Sequence, residues 1–67
     1  MTLDNGALLI ERRQSRKGGY IVLAKWEDED GYVEYVTWWQ ATPDSVTLSG
    51  DCCSTLEEGI DSLNRRA

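Results

Sequence analysis

The chain contains no histidine, and its only two cysteines, Cys52 and Cys53, are adjacent. Without histidine the commonest general base of enzymes is absent, and no serine stands in a motif that would activate it. A structural zinc site needs four ligands, usually cysteine and histidine at set spacings, which two thiols cannot supply. The sequence therefore predicts no catalytic residue, no metal site and no cofactor, so we do not expect an enzyme.

A stabilising disulfide is also excluded, because neighbouring Cα atoms lie only about 3.8 Å apart, short of the usual disulfide span. The N-terminal apolar stretch is only Ala7–Ile10, too short for a signal peptide, and nothing approaches the roughly 20 residues of a membrane span. Reduced thiols without a targeting segment predict a cytoplasmic protein with no membrane contact. One alternative stays open, since a thiol near a helix N-terminus can have a lowered pKa and become reactive.

The formal net charge of −5 is unevenly distributed along the chain. Residues 1–26 carry five basic and two acidic side chains, a balance of +3, whereas residues 27–67 carry two basic and ten acidic ones, a balance of −8. A uniformly basic nucleic-acid-binding surface is therefore excluded. The acidic run 27–30 before Gly31 lacks the distal glutamate of an EF-hand loop, so it is interpreted as a hairpin turn and not as a calcium site.

With 67 residues the chain forms a single small domain, 1–67, whose own core would supply only about 3–5 kcal/mol of net stability. The predicted fold class is α+β, a three- to four-stranded antiparallel sheet with one C-terminal helix packed on one face. Residues 1–6 are expected to be a loose start. The pattern of β-branched, aromatic and turn residues predicts strands at about 7–13, 20–26, 32–39 and 45–48.

The helix is predicted at about 55–65. A Ser-Thr pair at 54–55 stands three positions before the Glu-Glu pair at 57–58, as a capping box requires. Gly59 lowers the helix propensity, which indicates a close approach to the sheet. The side of the helix expected to face the sheet is a stripe at helical spacing, formed by Leu56, Ile60 and Leu63.

Two tryptophans in a row, residues 38–39, end the third predicted strand. Neighbours in a strand point to opposite faces, so only one of them can enter a given core. Assumed pairings of Trp26 with Tyr32 and of Arg13 with Tyr20 assign the faces of the sheet. The more aliphatic set, expected under the helix, is Leu8, Ile10, Ile21, Leu23, Val33, Tyr35 and Trp39.

A single helix covers one face of an antiparallel sheet, so the opposite face should remain an exposed aromatic patch. Such a patch predicts a protein–protein contact, first of all a homodimer, and then an unknown second protein. The residues predicted to bind the partner are Tyr20, Trp26, Tyr32, Val36, Trp38, Arg13 and Glu34.

The predicted function is that of a small, non-enzymatic interaction or regulatory protein. The acidic half could also imitate nucleic acid toward a basic host protein, as inhibitors of host defence encoded by phages or mobile elements do. That comparison is one of type, without a match at the level of residues. The alternative is a nucleic-acid-binding accessory protein that uses the basic turn 12–17 beside exposed aromatic side chains.

Overall fold

A four-stranded antiparallel sheet with one helix on one face makes up the computed structural model, which describes residues 2–67. The helix, α1, spans Leu56–Arg66. The predicted α+β class is confirmed. Neighbouring strands in the chain are neighbours in the sheet, in the order β1 (Leu8–Gln14), β2 (Tyr20–Glu27), β3 (Val33–Gln40) and β4 (Leu48–Cys53).

Strand β4 lies further along the chain than the sequence pattern predicts. The predicted strand 45–48 shares only Leu48 with it, because the chain turns at Thr42–Ser45, where the Ser45 amide donates to the Thr42 carbonyl at 3.0 Å. In β4, Leu48 pairs with Trp39, and after a bulge residues 51–53 lie opposite 35–37 of β3. Residues 51–53 have no alternating apolar pattern, so their strand conformation depends on hydrogen bonding to β3.

Residues 2–7 pack on the face of the sheet opposite α1, which we call the outer face. The Leu3 amide donates to the Ala7 carbonyl at 2.8 Å, and Gly6 takes a positive φ of 90° in the turn between them. Leu3 and Ala7 are buried, in one cluster with Val22 and Ala24. The loose start predicted for residues 1–6 is therefore wrong for residues 2–6, and residue 1 lies outside the described residues.

Helix α1 packs on the sheet through small residues. A Cβ atom on Gly59 would lie 2.8 Å from Leu23 Cδ1 and 3.2 Å from Tyr35 Cβ, so any side chain here would force Leu23 or the helix to move. This confirms the close approach predicted for Gly59. Further along the same side, Ser62 and Leu63 are fully buried.

The predicted apolar stripe is correct for Leu63 and wrong for Leu56 and Ile60, which are each 41% exposed. The helix is rotated away from the stripe because its smallest side chains allow the closest packing. Asn64, one turn after Ile60, accepts a hydrogen bond from Arg13 of β1. The row that contains Leu56 and Ile60 therefore faces the β1 side and stays partly in solvent.

A chain of polar side chains joins α1 to β3 and β4. The Arg66 guanidinium donates to the Thr37 hydroxyl at 2.9 Å, and the Thr37 and Ser62 hydroxyls lie 2.9 Å apart. Ser62 in turn donates to the Asp51 carboxylate at 2.8 Å. Thr37 and Ser62 are fully buried, so these bonds satisfy hydroxyls whose burial would otherwise be costly.

The start of α1 has the predicted capping box. The Thr55 hydroxyl accepts from the Glu58 amide at 3.1 Å, while the Glu58 carboxylate accepts from the Ser54 amide at 3.3 Å. The first bond satisfies an amide that lacks a partner in the first turn of a helix, and the second ties Ser54, the residue before the cap, to that turn. No helix within residues 2–67 has the length and apolar character needed to cross a membrane.

The rotation of α1 predicts very different costs for two substitutions. Leu63→Ala removes a fully buried side chain and should lower the free energy of unfolding by about 2–5 kcal/mol. Ile60→Ala, at a partly exposed position on the same helix, is the matched control and should cost less than about 1 kcal/mol. Urea melts of both variants measure the difference, and an equal loss would contradict the observed rotation.

Candidate functional site

The pairing of β2 with β3 determines which aromatic side chains reach the outer face. Trp26 lies opposite Glu34, and not opposite Tyr32 as predicted. A shift of two residues leaves the assignment of faces unchanged, because side chains alternate with a period of two. Tyr32 itself lies in the loop before β3, where its amide donates to the Asp28 carboxylate at 2.9 Å, and its side chain is 57% exposed.

A bulge in β1 moves Arg13 to the other face of the sheet. The pairing with β2 shifts between Leu9 and Glu11, so Arg13 lies opposite Ile21 instead of Tyr20. One extra residue in a strand exchanges the faces of all residues that follow it. Arg13 therefore lies on the helix side, where it forms an ion pair with Glu11 and donates to Asn64. The predicted membership of Arg13 in the aromatic patch is therefore wrong.

Four of the residues predicted to bind a partner line one groove on the outer face: Trp26, Glu34, Val36 and Trp38. The groove has a volume of about 300 Å³, and Asn5, Gly50 and Cys52 complete its lining. We call these seven residues the tryptophan groove. Tyr20 lies outside it, at the opposite end of β2, where it pairs with Gln14 and Gln40.

The shape of the tryptophan groove depends on Gly50, which no sequence pattern singled out. A Cβ atom on Gly50 would lie only 2.6 Å from Nε1 of Trp38, so the backbone of β4 passes directly over the indole. Trp38 is half-buried and packs against the cluster of Val22 and Ala24, while Trp26 remains 38% exposed. The groove thus has a firmly packed floor and an accessible aromatic rim.

Asn5 brings the N-terminal segment into the same groove. Its side-chain amide donates to the Thr47 hydroxyl at 3.2 Å, and its carbonyl oxygen accepts from the Ala7 amide at 3.0 Å. These two bonds fix the segment between the sheet and the loop before β4. A sequence signal was present in Asn5-Gly6, since this dipeptide is typical of tight turns.

Both thiols lie next to carboxylates. Cys52 is exposed, but partial desolvation raises the pKa of its thiol, and the nearby Glu34 and Asp51 carboxylates raise it further. Burial also raises the pKa of the Cys53 thiol, with Asp51 and Glu58 acting in the same direction. Near neutral pH both thiols are therefore protonated, and the alternative of a reactive cysteine with a lowered pKa is wrong. They belong to β4 and lie outside the first turn of α1.

The raised thiol pKa predicts slow alkylation. In a Cys53→Ser variant, the iodoacetamide reaction of Cys52 should reach half its maximal rate at a higher pH in the folded protein than in urea. Glu34→Gln removes a neighbouring negative charge and should move that pH downward, because the thiolate is then less disfavoured. Glu57→Gln, on the exposed face of α1, is the control. A folded-state midpoint below that of the unfolded chain would contradict the prediction.

A second surface lies at the opposite end of the sheet, where the β1–β2 turn meets the end of α1. Basic side chains from both elements line a cleft of about 480 Å³ beside Trp39. The Trp39 indole donates to the Gly18 carbonyl at 3.0 Å, which anchors the turn. We call this the basic cleft, and its charged residues are Arg16, Lys17, Arg65 and Arg66.

Comparison with known protein families, curated proteins and solved structures finds no match. Within residues 2–67, no three histidine, cysteine, aspartate or glutamate side chains are grouped so that they could hold a metal ion. The function is therefore inferred from the tryptophan groove, the basic cleft and the charges around them.

Proposed function

We propose that the protein is a non-enzymatic binding module that contacts a partner protein through the tryptophan groove. The observation that supports this most directly is that Trp26 and Trp38 line the same groove. Trp38 is half-buried and forms the floor of the groove, whereas Trp26 is exposed at its rim. Tryptophans in well-packed pockets at the centre of an interface contribute a large share of binding energy. A groove of this kind accepts apolar side chains of the partner.

The charges around the groove favour a cationic partner. Glu34 lies in the groove itself, and the acidic loop 27–30 connects the two strands that carry Trp26 and Glu34. Complementary charge speeds association and selects among partners. An inhibitor of a basic host protein, encoded by a phage or a mobile element, would be a specific form of this module.

The homodimer expected from the sequence has a smaller surface available to it in the structure. Residues 2–7 cover Val22 and Ala24, so the outer face open to a second copy is reduced to the tryptophan groove and its rim. Two copies would also bring together two chains that each carry a net charge of −5. A different, basic protein is therefore the partner that the charges favour.

A library of displayed random peptides tests the groove while the partner is still unidentified. Peptides selected on the protein should shift the indole NMR signals of Trp26 and Trp38 and leave that of Trp39, on the other face, unchanged. Trp26→Ala should weaken their binding by about 2 kcal/mol, roughly 30-fold, because it removes an aromatic anchor. Tyr32→Ala, an exposed aromatic outside the groove, is the control. Selected peptides that bind the Trp26→Ala variant unchanged would contradict the proposal.

A second candidate function has its own supporting observation. In the structure, the arginines at the end of α1 lie beside the basic turn and line the same cleft. Arg16 donates to the Ala67 carbonyl and Arg66 to the Thr37 and Ser49 carbonyls. Lys17 is exposed, and Arg65, although it pairs with Asp61, keeps 68% of its side chain exposed. Cations beside an aromatic ring are typical of sites for single-stranded nucleic acid, so we retain a nucleic-acid-binding accessory protein as the alternative.

Titration with single-stranded oligonucleotides at low salt tests this alternative. If it holds, the Trp39 indole signal should shift while those of Trp26 and Trp38 stay in place, and affinity should fall steeply with added salt. The pair Lys17→Gln and Arg65→Gln should remove most of the binding. Lys25→Gln, a cation outside the basic cleft, is the matched control. Unchanged Trp39 and salt-independent affinity would exclude this function.

A further inference from the structure

We propose that β4 accepts an extended segment of another protein as a fifth strand, with alternating apolar and basic side chains. This inference rests on the proposed function of the tryptophan groove, which β4 borders, and names the kind of partner that the groove receives. Addition of a strand combines main-chain hydrogen bonds with side-chain contacts on both faces of a sheet.

The free edge of β4 is the first observation. β4 is the last strand of the sheet, and no further strand pairs with it in the described part of the chain. Its residues 48–52 are all exposed. An edge strand presents unpaired amides and carbonyls that can pair with an incoming chain. Because the Ser49 carbonyl already accepts from Arg66, the open part of the edge is 50–53.

The other edge of the sheet is protected against such pairing. β1 has a bulge after Leu9, and Thr2 pairs with Leu8 at its start. It also carries three consecutive charged residues at 11–13. Bulges and charges are common means of preventing strand addition. β4 has a bulge of its own at residues 49–50, where Ser49 takes a positive φ of 54°. Beyond this bulge it pairs in regular register and has a single charged residue, Asp51, so this part of the edge remains open.

The outer face beside β4 is suited to apolar side chains. Val36 pairs with Cys52, and the backbone at Gly50 lies against the Trp38 indole. Side chains of an added strand that point to this face would lie over the tryptophan groove. Because glycine offers no side chain at position 50, they would reach the aromatic surface directly.

The helix side of the same edge is acidic. Asp51 pairs with Thr37 and points to Ser62 of α1, so its carboxylate lies on this side. The Glu58 carboxylate accepts from the amide of Ser54, the residue that follows β4, so it lies at the end of the same edge. Two cations of α1 are on this side: Arg65 is paired with Asp61, and the Arg66 guanidinium is bound to the Thr37 and Ser49 carbonyls. Alternate residues of the added strand therefore meet negative charge, and basic side chains complement it.

These two faces determine the occupant. A segment whose residues alternate between apolar and basic satisfies the groove on one side and the carboxylates on the other. A second copy of this chain would pair β4 with β4 and place Asp51 of each chain near that of the other, which like-charge repulsion opposes. The occupant is therefore a basic extended segment of a different protein.

The test uses a capped eight-residue peptide that alternates valine and lysine, together with a version in which glutamate replaces lysine. The lysine peptide should bind, shift the Trp26 and Trp38 indole signals and slow amide hydrogen exchange at residues 50–53. The glutamate peptide should bind at least about tenfold more weakly. Every second amide of an added strand points to β4. Methylating the backbone nitrogens of one alternate set, odd or even, should therefore abolish binding, and methylating the other set should preserve it.

Substitutions on the protein separate the charge contribution from folding. Asp51→Asn with Glu58→Gln keeps hydrogen-bond acceptors at both positions and should weaken the lysine peptide about three- to tenfold at low salt. Glu57→Gln, which removes a carboxylate on the exposed face of α1, is the control. Urea melts verify that both variants remain folded. Equal affinity of the double variant and wild type would overturn the basic character of the partner.

Failure of the inference can be told apart from failure of the proposed function. Peptides that bind the groove could tolerate methylation of either set of amides and leave amide hydrogen exchange at residues 50–53 unchanged. That result would overturn strand addition but would still support binding in the tryptophan groove. If neither the alternating peptide nor any displayed peptide shifts the Trp26 and Trp38 signals, both fail. Protection of 50–53 that grows with protein concentration alone, together with a dimer in sedimentation, would assign the edge to a second copy and overturn the proposed partner.

Discussion

The close contact of α1 with the sheet at Gly59 is the constraint on which the rest of the structure depends. No side chain separates the helix from Leu23 and Tyr35 there, so the next turn brings the Ser62 hydroxyl to Thr37. Ser62 then donates to Asp51 and so ties the helix to β4. A larger residue at position 59 would lift the helix and weaken all of these bonds together.

The position of β4 follows from the same contact and determines the site on the other face. With Asp51 and the Ser49 carbonyl bound by residues of α1, β4 is fixed beside β3. Gly50 then lies over Trp38, and Cys52 lies beside Val36. The helix never touches the tryptophan groove, yet it determines the strand that forms one wall of it.

Charge separates the two candidate surfaces along the molecule. The acidic loop 27–30 and the start of α1 lie toward the Tyr35 end of β3, whereas the basic turn and the end of α1 meet at Trp39. The two ends of β3 thus differ in charge, one acidic and one basic. Under the two proposed functions, a cationic protein would bind near the acidic end and a polyanion near the basic end.

Much of the fold could be predicted from local patterns. Period-two alternation locates β1 to β3, and the capping box locates the start of α1, because both depend on residues close together in the chain. Four of the seven predicted partner residues share the groove for the same reason. Their faces follow from the alternation of side chains in β2 and β3. The predicted pairing of these strands was wrong by two residues, and such a shift leaves the faces unchanged.

The sequence by itself determined the elements and most of the faces, whereas the tertiary structure decided how they meet. The bulge that turned Arg13 to the helix side, the strand that begins at Leu48 and the cover formed by residues 2–7 all depend on partners distant in the chain. The rotation of α1 was decided by steric fit at Gly59, which overrode the hydrophobic stripe because close packing and satisfied hydroxyls outweigh the partial exposure of Leu56 and Ile60.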